Sequence, residues 1–303
     1  MIGGRLRARR LSPGDRAAAL GLLSAARDEN LVLIDQVERL AEGLFSDEPP
    51  PQLHGAFVGD RLAGLAALRP SIALSAALDP EALVVLLPAL LRVPSGLLKC
   101  ERHQVEALWS SLAAVGRRSI IDRIEIAYRI GPEAAARIGP EAAARIGPEA
   151  VTRLGAEADA SLPGVARPAR AGDLRDLIHA ARASLWEEQR PDPAESDPVG
   201  FARWVESRLP RARVVCADGR VVFVAYADVR RGQGWLVQGV YTWPDARRRG
   251  YARKGMAALL REAFDAGASH VQLAVVAGND RASGLYRKLG FEPFAELRTI
   301  LFH

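Results

Sequence analysis

Val240-Tyr241-Thr242-Trp243-Pro244-Asp245-Ala246-Arg247-Arg248-Arg249-Gly250-Tyr251-Ala252 is the stretch on which the reading of this chain turns. Before it, Trp235 to Trp243 form a strand-like apolar run. After it, Met256, Leu259, Leu260, Ala263 and Phe264 fall on one face at helical spacing. The stretch is therefore a strand-to-helix junction with a proline turn inside it. A helix start presents unpaired N–H groups and a partial positive charge, which together suit a phosphate. Gly250 allows close backbone approach, Ala252 keeps the first turn small, and Arg247, Arg248 and Arg249 add fixed cations that match phosphate oxygens. Taken alone, the same six residues fit a solvated basic loop over a core helix just as well, because short glycine motifs recur by chance.

The following strand, Val271 to Val276, leads into Gly278-Asn279-Asp280-Arg281-Ala282-Ser283-Gly284-Leu285-Tyr286-Arg287-Lys288-Leu289-Gly290-Phe291. Asn279 or Asp280 suits the cap of a helix holding Ala282 to Leu289, and Gly290 suits its stop. Together the two stretches resemble the closing motifs of the GCN5-related N-acetyltransferases, the GNAT superfamily. The loop pattern Arg/Gln-x-x-Gly-x-Gly/Ala falls on Arg247, Gly250 and Ala252. The pattern Asn-x-x-Ala/Ser-x-x-x-Tyr-x-x-x-Gly-Phe falls on Asn279, Ala282 with Ser283 beside it, Tyr286, Gly290 and Phe291.

The resemblance covers about Val165 to Phe302 and implies an α/β (α+β) fold, a mixed, mainly antiparallel twisted sheet flanked by helices. It implies acetyl-CoA as co-substrate and no metal. Val240, Tyr241 and Thr242 would offer backbone groups to the pantetheine arm, and the N–H groups of Arg248 to Arg253, with Tyr251 and Ala252 between, would hold the pyrophosphate. Asn279 and Ser283 would contact the pantetheine or nucleotide end. Tyr286 would be the general acid that protonates the departing thiolate: a phenol of pKa about 10 can donate to a thiol of about 8.5. Packing of the last helix against the sheet is the plain alternative for Tyr286. The general base is not evident. Gln238 stands in the relevant strand and cannot titrate. Glu187 and Glu188 are candidate substrate-site carboxylates, or simply a solvated helix end, and His179 reads as an ordinary helix residue.

Ahead of this segment the element order repeats. Arg5–Leu11 is strand-like, helical spacing begins after Ser12-Pro13-Gly14-Asp15 with Ala18, Leu20, Leu22 and Leu23, a second helix is expected over Leu31–Leu44, and strands at His54–Val58, Leu62–Leu68 and Ile72–Ala77. Asp79 reads as an N-cap with Pro80 in the first helical position, before a strand at Leu97–Cys100, a helix near Val105–Val115 and a strand at Ile120–Tyr128. In the second half, helices are expected over Ala171–Glu188 and Asp197–Leu209, and Asp218-Gly219 signals a hairpin. The halves look like copies of one architecture, so tandem GNAT-like folds are expected. The first copy resembles a degenerate repeat: where a phosphate loop should lie, Ala77-Leu78-Asp79-Pro80 has neither glycine nor arginine. Between the copies, Ile130-Gly-Pro-Glu-Ala-Ala-Ala-Arg137 is repeated to Arg145 and, with changes, to Arg153. Such helix-favouring octapeptides make a semi-rigid spacer. The expected division is 1–129, a 130–163 linker, and 164–303.

Composition narrows the classes. With 49% hydrophobic and 25% charged residues the chain is globular and not disordered. The longest apolar run, Ala82–Leu91, is too short to span a membrane and contains Pro88, and no signal-peptide core follows the N-terminal arginines, so a cytoplasmic protein is expected. The net charge of +5 comes without aromatic interleaving or a nucleic-acid motif, so nucleic acid is not the expected partner. Cys100 and Cys216 lack a CxxC or Cys/His setting and read as buried free thiols. The functional expectation is transfer of an acetyl group to a primary amine of a small molecule or peptide, by a monomer or homodimer. A non-catalytic acyl-CoA-binding regulatory module and a transferase of another acyl group are the alternatives.

Overall fold

The computed structural model describes residues 5–43, 49–138 and 166–303. In chain order the strands are β1 (Leu6–Arg10), β2 (Gln52–Val58), β3 (Arg61–Arg69), β4 (Ala73–Leu74), β5 (Gly96–Glu101), β6 (Ser119–Ile130), β7 (Ala166–Pro168), β8 (Ala212–Ala217), β9 (Arg220–Arg231), β10 (Gly234–Thr242), β11 (Val271–Val276) and β12 (Glu292–Phe302). The helices are α1 (Arg16–Leu23), α2 (Leu31–Glu42), α3 (Pro80–Leu90), α4 (Arg102–Ala114), α5 (Pro132–Ala136), α6 (Leu174–Glu187), α7 (Pro198–Ser207), α8 (Tyr251–Asp265) and α9 (Asp280–Lys288). These match the expected elements closely, except that β4 is only a fragment of the expected Ile72–Ala77 strand.

Two compact units emerge, and they interleave along the chain. One comprises Met1–Ala127, Ala274–Asp280 and Pro293–His303, the other Tyr128–Leu273 and Arg281–Glu292. This departs from the contiguous division expected at 129 and 164. The departure lies mainly in the last strand.

In the first unit β1, β2, β3 and β4 form an antiparallel sheet in which β3 is buried on both faces and the edge strand β1 is largely exposed. Alternation along β3 sends Leu65 and Ala67 into a cluster with Leu23, Ile34 and Val37 of α1 and α2, and Ala66 and Leu68 into one with Leu86 and Leu90 of α3. The second cluster also holds Ile300 and Phe302 of β12. β12 pairs antiparallel with β5 in the register Leu297↔Glu101 to Phe302↔Gly96. Thus the strand that closes the chain completes the unit built on the N-terminal residues. Residue alternation specifies which face of a strand is buried, but not which strand lies beside it, so the sequence pattern left this partner open.

In the second unit β7, β8, β9 and β10 are successive antiparallel neighbours, and β11 lies parallel to β10. The β8–β9 hairpin turns at Asp218 (φ 51°) and Gly219 (φ 74°), both left-handed, the turn that the pair predicted. Met256, Leu259, Leu260 and Ala263 bury one face of α8 as their spacing foretold. The first octapeptide belongs to this unit. Ile130 is the buried last residue of β6, Pro132–Ala136 form α5, and Ile130 and Ala134 pack against Gly290. The expected spacer thus begins as a docked segment, while the copies beyond residue 138 lie outside the described residues. Both cysteines are free, as expected, yet only partly buried.

Candidate active site

β10 carries an irregularity at the point where the candidate site begins. Gln238 faces Tyr226 and Tyr241 faces Val224, so Gly239 and Val240 together oppose Ala225 alone, which is a β-bulge. Gly239 has φ +57°, and a Cβ there would lie 2.9 Å from the Tyr226 ring, so both the backbone and the contact demand glycine. Among the described residues the parallel ladder from β10 to β11 covers Trp235↔Val271 and Leu236↔Gln272, both ahead of the bulge. Past the bulge β10 continues along β9, with Tyr241 opposite Val224 and Thr242 opposite Phe223.

After β10 the chain makes one short helical turn, Pro244–Ala246, and reaches the loop. Arg248 is left-handed at φ 64°, and Gly250, the N-cap of α8, has φ +84° and ψ −3°. No side chain caps α8, and a Cβ built on Gly250 would meet nothing within 4 Å. The helix therefore starts with no side chain on its free N–H groups, with open space beside Gly250 and the exposed residues Arg248 and Arg249 just before it. Tyr251 and Ala252 are half-buried and Arg253 is exposed.

Arg247 behaves differently from its neighbours. Its Nε donates to the Thr242 carbonyl at 2.9 Å, and its Nη2 donates to Glu187 Oε1 at the end of α6. The Tyr241 hydroxyl donates to the same Oε1 at 3.2 Å. The guanidinium expected to join the phosphate cations is instead turned toward α6 and β10. Glu187 in turn is more than a solvated helix end, whereas Glu188 lies 3.7 Å from Arg190. His179 stacks on Trp243 with ring centroids 6.2 Å apart, in keeping with a packing role.

α9 ends in a hydrogen-bonded stop: the Phe291 N–H donates to Tyr286 O, and the Gly290 N–H to Arg287 O. The ring of Phe291 closes edge-on against Tyr286 at 5.6 Å, fixing the tyrosine. Tyr286 is 5% exposed, and burial pushes its phenol well above the ordinary value. It therefore stays protonated at any ordinary pH and is a weaker acid than the sequence suggested. Giving up that proton is uphill. Ser283 is half-buried on the same helix. Asn279 is exposed in the turn before α9 and falls in the first unit.

Two features escaped the sequence reading. A lone glycine inside a strand pattern signals a bulge, and Gly239 had that signal. Tyr226, opposite Gln238, is 3% exposed, has a buried hydroxyl without a hydrogen-bond partner, and lies under the Arg208 guanidinium at 4.0 Å. Burial pushes its phenol up to about 12. Nothing in the sequence set this tyrosine apart from a core residue.

Residues 175–291 match the Acetyltransferase (GNAT) family, so this segment is a GNAT-type domain. Among solved structures, a Drosophila protein is similar with a TM-score of 0.66 at 17% identity, covering 99% of each chain. A GCN5-related N-acetyltransferase from Sphaerobacter thermophilus has a TM-score of 0.58 at 15% identity, over 99% of this chain and 96% of that one. A tandem GNAT protein from the clavulanic acid biosynthesis pathway has a TM-score of 0.53 at 13% identity, over 97% and 98%. At such identities the likeness is one of fold. No curated protein matches the chain. Among the described residues no helix is long and apolar enough to cross a membrane.

Proposed function

We propose that this chain is an N-acetyltransferase that takes an acetyl group from acetyl-CoA and passes it to a primary amine of a small molecule or peptide. The observation that carries the reading is the start of α8: a left-handed glycine, no capping side chain and open space above it, flanked by exposed arginines. That donor set fits a pyrophosphate. Helix N–H groups bind its oxygens directionally, and cations balance its charge. Gly250 and the N–H groups through Arg253 would hold the pyrophosphate, with Val240 to Thr242 along the pantetheine. Acetyl-CoA supplies an activated acyl group as a thioester. In transfer the amine nitrogen forms the new bond to the acyl carbon, the carbon–sulfur bond breaks, and the amine's lost proton balances the one the sulfur takes up. Tyr286 would serve by donating a hydrogen bond toward the sulfur.

A second reading is favoured by Gln238, which cannot act as a base in β10. On it the chain binds an acyl-CoA without turnover, as a regulatory module. Free-thiol release from acetyl-CoA in the presence of a panel of amines separates the two. Amine-dependent release supports the transferase. Binding without release across the panel supports the module, and release from longer acyl thioesters alone would redirect the donor assignment.

A further inference from the structure

Glu187 is a carboxylate for which the proposed reaction has no use. It is the last residue of α6, and its Oε1 accepts from both the Tyr241 hydroxyl, at 3.2 Å, and the Arg247 guanidinium. The same guanidinium donates through Nε to the Thr242 carbonyl at 2.9 Å and lies 5.6 Å from the Tyr241 ring centroid. One side chain therefore ties together the end of α6, the end of β10 and the first residue of the basic loop. The fork of an arginine suits this, because its Nε and Nη2 donate in fixed directions to different acceptors. Arg247 is the more sheltered partner, its side chain 23% exposed against 42% for Glu187. A half-exposed ion pair adds little to global stability, so its consequence is where the loop sits.

We propose that Glu187, acting through Arg247, is a positioning residue that anchors the loop at Arg248–Ala252 and couples it to α6. The proposal rests on the reading of that loop as the coenzyme A site, and it assigns the phosphate-facing charge to Arg248 and Arg249. Arg247 is then an anchor whose side chain touches no phosphate. Glu187 is where α6 ends and the segment toward α7 begins. An acceptor that drew Glu187 away would loosen the loop, and coenzyme A bound in the loop would hold Glu187 in place. Such coupling is reciprocal by linkage.

Two measurements on the full chain test this. The first is calorimetric titration with coenzyme A at low and high salt. Glu187→Ala and Arg247→Ala should each weaken binding about fivefold, and the double variant should be no weaker than either, since both remove one anchor. Their salt dependence should match that of the parent chain, whereas Arg249→Ala should flatten it, because direct charge contacts are screened by salt. Glu187→Gln, which keeps an acceptor oxygen, should bind within about twofold of the parent. The proposal is overturned if the two losses multiply, or if Arg247→Ala flattens the salt dependence as Arg249→Ala does. The second measurement is hydrogen exchange, in the ligand-free chain, of the Ala246, Arg247 and Lys254 amides, which flank the loop and donate to the Trp243, Pro244 and Gly250 carbonyls. It should quicken equally in Glu187→Ala, Arg247→Ala and the double variant. Unchanged exchange overturns the anchor whether or not coenzyme A binds. Quickened exchange in a chain that never binds coenzyme A would leave the anchor standing and remove the loop assignment instead.

Discussion

At matching points in the order of elements, α3 and α8 each follow a strand and a turn, yet they treat their free N–H groups in opposite ways. At α3 the N-cap is Asp79, in extended conformation, and its carboxylate accepts from the Glu81 N–H at 2.8 Å. Glu81 adds a second negative charge in the first turn. At α8 the N-cap is Gly250, no side chain reaches the free groups, and arginines occupy the three preceding positions. The first helix start is satisfied from within and repels an anion. The second is left unsatisfied and draws one. One chain thus shows the same backbone feature as a capped structural element and as a candidate binding site, and the difference lies in a few residues at each turn.

The largest effect that bears on this comparison comes from cutting the chain. A fragment of residues 164–303 keeps the α8 start but leaves β12 without β5. It should show no cooperative thermal transition and bind no coenzyme A. A cooperatively melting fragment that bound coenzyme A would mean that the second half stands alone. Next in size is Gly250→Glu, which gives α8 an acidic N-cap in the manner of α3. Coenzyme A affinity should fall more than about a hundredfold, as a cation-lined anion site gains a like charge, while the left-handed backbone costs only about 1 kcal/mol in stability. Tyr286→Phe should lower kcat about tenfold with KM little changed, the size of one lost hydrogen bond. Equal turnover would return Tyr286 to its packing against Phe291. Smallest is Asp79→Ala, which should shift the denaturation midpoint by about 1 kcal/mol and leave coenzyme A affinity untouched. A change in affinity there would make the first helix start part of the site.

Most of the elements were legible because each carries a local signal. Helical spacing gave α8, Asp79-Pro80 gave the start of α3, and Asp218-Gly219 gave the β8–β9 turn. The loop was legible for the same reason, since a glycine and its arginines are adjacent in sequence. Partnerships between distant residues were not. The pairing of β12 with β5, the capture of Arg247 by Glu187 and the docking of Ile130 and Ala134 against Gly290 all depend on which elements meet. Alternation and propensity do not encode that. The burial of Tyr286 belongs here too. Its position in a motif suggested chemistry, but its acidity depends on the packing around it, which raises the phenol and makes it a weaker acid than the motif suggests.

The central claim is one coenzyme A site per chain, at the start of α8 and not at α3. Calorimetric titration of the parent chain and of Gly250→Glu with coenzyme A, with thermal melting to confirm that both are folded, addresses it directly. The account predicts a stoichiometry near one for the parent and no measurable binding for the folded variant. Two sites per chain, or undiminished binding by Gly250→Glu, would contradict it.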